Sequence, residues 1–159
     1  MKAKWCVAML VAMGAGLSMT AETNQIDHAG AATAIFTSYQ DLKWGKILPE
    51  LCEASPEICI LHVDPKTQAT KLMIRTPVSI HVPKHWHSAN ETHTVIIGKA
   101  VFGCDGKRVE LGPGSFNYLP AKMVHEAWLP AGSLTFITVD SAWDINWVDG
   151  QPTTADLIK

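Results

Sequence analysis

Charge is what this chain has least of. Lysine and arginine together number 13, aspartate and glutamate 15, only 18% of 159 residues, for a formal net charge of -2. There is no basic stripe to neutralise a nucleic-acid backbone and no acidic tail, so nucleic acid is not an expected partner. Past the first 21 residues no segment carries a convincing helical stripe, which argues against a helical architecture. Internal repeats and low-complexity tracts are also missing. The length suits one well-buried core and is too short for two ordinary domains, so a single domain is expected.

What is present begins at the N-terminus. Two cations in Met1-Lys2-Ala3-Lys4 precede an uncharged, mostly apolar run from Trp5 to Leu17 that ends in Gly14, Ala15 and Gly16. Residues 1–21 therefore read as a secretory signal, with cleavage near Ser18 or Ala21 and a periplasmic or secreted destination. The run is shorter than the roughly 20 residues of a stable bilayer span, so no membrane insertion is expected after cleavage. An uncleaved anchor is the alternative. Mass spectrometry of the exported protein separates the two: loss of the Met1 terminus is expected, and an intact one contradicts cleavage.

Cys6 falls in that segment, leaving Cys52, Cys59 and Cys104. An oxidising compartment favours pairing two of them. Cys52 and Cys59 flank the turn-rich Glu53-Ala54-Ser55-Pro56, and closing so short a loop would stabilise by roughly 2.5 kcal/mol. Three unpaired thiols are the other reading.

Residues 22–41 lack a clear period and read as a loosely ordered arm. Residues 42–150 form the expected barrel and 151–159 a C-terminal tail. From Ile58 onward, short alternating or apolar runs rich in β-branched and aromatic residues are separated by Gly, Pro and Asp. The pattern predicts strands over 58–63, 70–76, 78–82, 92–97, 100–104, 108–111, 116–119, 124–129, 133–139 and 143–148. Asp105-Gly106 marks a hairpin, because the tightest hairpin turns need positive φ. Some ten short strands in one small all-β domain point to a double-sheet jelly roll or closed barrel.

Five of the seven histidines, His81, His85, His87, His93 and His125, fall in one span that also holds Glu91. Alternate residues of a strand share a face, so His85 and His87 can aim two imidazoles at one point while Trp86 turns away. Ser88-Ala89-Asn90 is polar and able to bend, which would bring Glu91 back as an oxygen ligand. His93 shares the parity of Glu91 and is either a donor behind the ligands or simply packed. His28 and His62 read as ordinary histidines, and His81 is unassigned because Val82-Pro83-Lys84 interrupts its strand. Phe116 and Tyr118 share a face and Trp128 flanks His125; Tyr118 and Trp128 are candidates for a pocket wall, though core packing is the commoner role of such aromatics.

His85-Trp86-His87-Ser88-Ala89-Asn90-Glu91 followed by Gly98 resembles the first motif of the cupin superfamily, and Gly114, Pro120 and His125 resemble the second. The resemblance implies a double-stranded β-helix, the jelly-roll cupin barrel. It also implies one divalent metal ion on His85, His87, Glu91 and His125, with Fe, Mn, Ni and Zn all compatible with three imidazoles and a carboxylate. Ser79, Lys122 and Leu129 depart from the motifs, where Gly, Gly and Asn are usual. None is a ligand position, but Lys122 calls for a different turn and Leu129 for a less polar pocket. The family likeness implies a metal-dependent enzyme on a small organic molecule, dioxygenase chemistry first, with Glu91 able to take a proton as the catalytic group. A non-catalytic exported module binding a metal or small ligand is the alternative, and a homodimer is compatible with either.

Overall fold

The computed structural model describes residues 33–159. The expected signal, the arm up to residue 32, Cys6 and His28 lie outside the described residues. Thr37–Lys159 make one unit, which is nearly all β.

Eleven strands run in chain order: β1 Gly45–Lys46, β2 Glu57–Val63, β3 Thr70–Thr76, β4 Ile80–Trp86, β5 Glu91–Ile97, β6 Ala100–Cys104, β7 Lys107–Leu111, β8 Phe116–Leu119, β9 His125–Leu129, β10 Ser133–Val139 and β11 Asn146–Trp147. They form two antiparallel sheets, ordered β1-β2-β3-β10-β5-β8 and β11-β4-β9-β6-β7. This is the jelly roll that the strand rhythm predicts. Most strands are bounded where Gly, Pro and Asp punctuate the sequence; Asp105 and Gly106 both take positive φ, as the hairpin between β6 and β7 demands.

Two strands differ from expectation. β4 runs on to Trp86 instead of stopping at Val82, because the chain tolerates Pro83 through a bulge: pairing with β9 shifts register between Val82 and His85. The last expected strand, 143–148, contracts to Asn146–Trp147, since only those two residues pair with β4. Residues 151–159 are a tail that docks back on the sheet: Thr153 caps a short 3-10 turn, Thr154–Asp156, and Ile158 N–H donates to the Ser79 carbonyl.

The core is built where the inward faces of the sheets meet. Leu72 and Ile137 come from one sheet, Phe102 and Ala127 from the other, with Val95 and Ile80 fully enclosed. Alternation along β9 shows the division: His125 and Ala127 are buried while Glu126 and Trp128 turn outward.

The expected Cys52–Cys59 bridge is not formed; both are free thiols. Cys52 lies at an exposed kink (φ 49°) in the connection between β1 and β2, whereas Cys59 is buried within β2. The hairpin places one at its tip and the other in its arm, so adjacency in sequence does not become adjacency of sulfurs.

Lys122 does not take a different turn: it holds the left-handed conformation at φ 64° that Gly would adopt freely. Its N–H donates to the His87 carbonyl at 2.8 Å, which ties the approach to His125 onto the first motif. Left-handed backbone costs a residue with a Cβ on the order of 1 kcal/mol. Lys122→Gly should therefore raise stability by up to about that amount. Denaturant titration checks it, and a lower midpoint would show that the Lys side chain contributes more than the strain costs.

Candidate metal centre

The bulge at Pro83 resets parity so that Val82 and His85, three residues apart, both line the interior. His85 then pairs directly across from His125 on β9, and their rings lie 4.2 Å apart between centroids. His87 follows one turnover of the pleat later, 5.1 Å from His85 and 5.3 Å from His125. The ligand atoms of these three buried histidines all lie within 4.8 Å of one another, so they could hold a metal ion.

Each ring is held in one tautomer. His85 Nδ1–H donates to the Pro83 carbonyl at 2.8 Å, His125 Nδ1–H to the Met123 carbonyl at 3.0 Å, and His87 Nδ1–H to the Asp144 carbonyl. A carbonyl only accepts, so the proton sits on Nδ1 and each Nε2 keeps its lone pair for the interior.

Glu91 opens β5 in the opposite sheet and is 1% exposed, its position set by the Ser88-Ala89-Asn90 turn. Two aspartates clamp that turn. Asp144 accepts from Ser88 N–H at 2.9 Å and from the Ser88 hydroxyl, while Asp140 accepts from Asn90 N–H at 3.1 Å and from its amide. Trp143 Nε1–H donates to Glu91 Oε1 at 3.3 Å. Oε2 is left with no hydrogen-bond partner, 3.0 Å from His87 Nε2 and 3.4 Å from His93 Nε2.

His87 and Glu91 are near enough for an ion pair, but burial disfavours the charged form of each. Burial lowers His87 and pushes Glu91 up to about 8. Burial also brings His85 down to about 3, with His125 adding to the effect, and brings His125 down to about 4. Two lone-pair atoms facing each other at 3.0 Å need a proton or a cation between them. Ligands bound at about 2.1 Å and at right angles stand about 3 Å apart. The three histidines could therefore hold a divalent ion, and the unpartnered Oε2 stands beside one of them, His87, outside that group of three.

The other expected site residues divide by strand parity. His93 is buried and faces the same cavity, with Nδ1 2.9 Å from Asn117 Oδ1 across the β5–β8 pair. Tyr118 is 53% exposed, because Asn117 and Leu119 take the inward positions of β8. Trp128 lies on the outer face, stacked on His81 at 4.8 Å with the Arg108 guanidinium 3.7 Å from its ring centre. Neither aromatic walls the pocket. His81 is also outside it, its Nε2 2.8 Å from Glu126 Oε2.

Sequence reasoning expected a strand over residues 143–148 but missed their place in the cavity wall. Trp143, Ile145 and Trp147 all line the cavity, and Trp147 stands 5.4 Å from the His85 ring. Their alternate spacing was a signal, but it does not reveal which sheet they cover.

In chelator-treated protein the buried histidines refuse protons that an unfolded chain accepts below about 6.5, so stability is lost as pH falls through that range. Glu91 acts oppositely: it keeps its proton in the fold up to about 8, so stability falls as pH rises above its unfolded value of 4.5. Several histidines oppose one carboxylate, so the melting midpoint should drop between about pH 7 and pH 5. An equal or higher midpoint at the lower pH contradicts this burial.

Residues 72–139 match the model of the cupin domain. None of the curated proteins matches the chain by sequence. Among solved structures, an RmlC-like cupin from Shewanella frigidimarina is similar at 17% identity and TM-score 0.58, covering 69% of this chain and 93% of that one. A putative acetylacetone dioxygenase from Methylibium petroleiphilum aligns at 16% identity and TM-score 0.58, covering 80% and 90%. KdgF from Halomonas sp. aligns at 18% identity and TM-score 0.56, covering 68% and 94%. At these identities the likeness concerns the fold.

Proposed function

Because the chain belongs to the cupin superfamily, we propose that His85, His87, His125 and Glu91 hold one divalent metal ion, and that the protein is a metal-dependent enzyme acting on a small organic molecule. The observation that carries this is Glu91 Oε2, buried without a hydrogen-bond partner 3.0 Å from His87 Nε2. A buried carboxylate oxygen in that position costs the fold free energy unless a cation or a proton completes it.

A bound ion would supply Lewis-acid chemistry toward a substrate oxygen and, were it iron or manganese, redox chemistry as well. The chain's own groups do the rest. The three Nδ1–H donors lock the imidazoles in the ligating tautomer, and Trp143 holds Oε1 so that Oε2 faces the histidines. Apolar walls limit water. Glu91 must release its proton to bind a cation and can take one back on leaving it, which is the catalytic role we assign to it. Dioxygenase chemistry is the first choice, since a structural neighbour is a putative acetylacetone dioxygenase. Export to the periplasm or medium, read from residues 1–21, belongs to the same proposal.

Elemental analysis of purified protein, followed by oxygen uptake with acetylacetone among the first compounds tried, tests this reading. Near-stoichiometric iron or manganese is expected, lost in His85→Ala and Glu91→Gln with the uptake. Stoichiometric zinc without turnover would assign the barrel to storage or sensing, and a metal-free protein would sink the proposal. Trp143→Phe keeps the ring but removes the N–H, and should weaken metal affinity about tenfold to a hundredfold. Unchanged affinity would mean that Glu91 needs no such anchor.

A further inference from the structure

The cavity next to the three histidines has one polar end and an apolar body. Its volume is about 70 Å³, so the free space suits a small molecule. The histidines and Glu91 crowd one end. Leu48, Val82, Leu129, Ile145 and Trp147 are among the residues that line the rest, where, among the described residues and apart from the Trp indoles, Thr76 and Thr135 are the only other polar side chains.

Among the described residues no lysine or arginine lines this cavity. That absence sets a limit on the charge of an occupant. With three neutral imidazoles and ionised Glu91, a divalent ion leaves one net positive charge, enough for a single anionic donor. A second negative charge on the occupant would be buried against Leu and Trp with no counter-ion, which strongly disfavours it. Hydroxyl groups along the body would fare little better, because the walls offer almost nothing to bond them.

Resting on the metal-site reading above, we infer that the substrate is a small molecule with a hydrocarbon body and one oxygen-donor end, neutral or singly charged. Phosphate esters, dicarboxylates and sugars are disfavoured. Selection lies chiefly in the wall formed by Ile145 and Trp147, the latter 5.4 Å from the His85 ring.

Calorimetric titration of metal-loaded protein tests this, with metal content measured first on each sample. The probes are acetylacetone, succinate, inorganic phosphate and glucose. Acetylacetone should bind at least about tenfold tighter than the other three. Ile145→Lys, which places a cation on the wall and leaves the ligands untouched, should keep its metal, weaken acetylacetone about tenfold and strengthen succinate. Loaded protein that prefers succinate, phosphate or glucose, or binds none of the four, overturns the inference while leaving the metal site intact. An Ile145→Lys variant with full metal and unchanged preference overturns the role of that wall. Protein that takes up no metal removes the underlying reading, and this inference falls with it.

Discussion

Desolvation governs this molecule. Four imidazoles and one carboxylate are enclosed between two sheets, in a place where a charge without a partner costs several kcal/mol. The fold tolerates them because each ring proton has a fixed acceptor: three backbone carbonyls for His85, His87 and His125, and Asn117 for His93. One atom, Glu91 Oε2, is left out of that satisfaction.

The acceptors themselves depend on irregular backbone. The Pro83 carbonyl reaches His85 at the β4 bulge, and the Met123 carbonyl reaches His125 from the end of the Pro120–Met123 turn, in which Lys122 is left-handed. The Asp144 carbonyl lies beyond the end of β10, on a segment that also fastens the Ser88–Asn90 turn through its carboxylate. A regular β4 would neither turn His85 inward after Val82 nor supply its ring with a partner. Two departures from ideal geometry, the β4 bulge and left-handed Lys122, stand beside the site, where backbone is used to aim side chains.

The centre also joins the two sheets. His85 and His125 belong to the five-stranded sheet, Glu91 and His93 to the six-stranded one, and the residues that tie them together come from positions more than fifty apart in sequence. A cavity with one polar end and an otherwise apolar wall results, because the same inward positions that build the core supply its lining.

Much was legible in the sequence by itself. Period-two alternation and Gly, Pro and Asp punctuation located nearly every strand, since both are properties of local backbone. The motif spacing marked His85, His87 and His125, which the fold gathers, and Glu91, which it buries beside His87. What alternation does not say is which of two faces is inner, and one bulge reverses the answer. Only the tertiary structure therefore turned Tyr118 and Trp128 outward, left Cys52 and Cys59 apart, and brought Asn117, Trp143 and Trp147 in. Those outcomes depend on how distant strands pair and stack, and the free energy that decides them, burial against a partner sheet, is not written in any single segment.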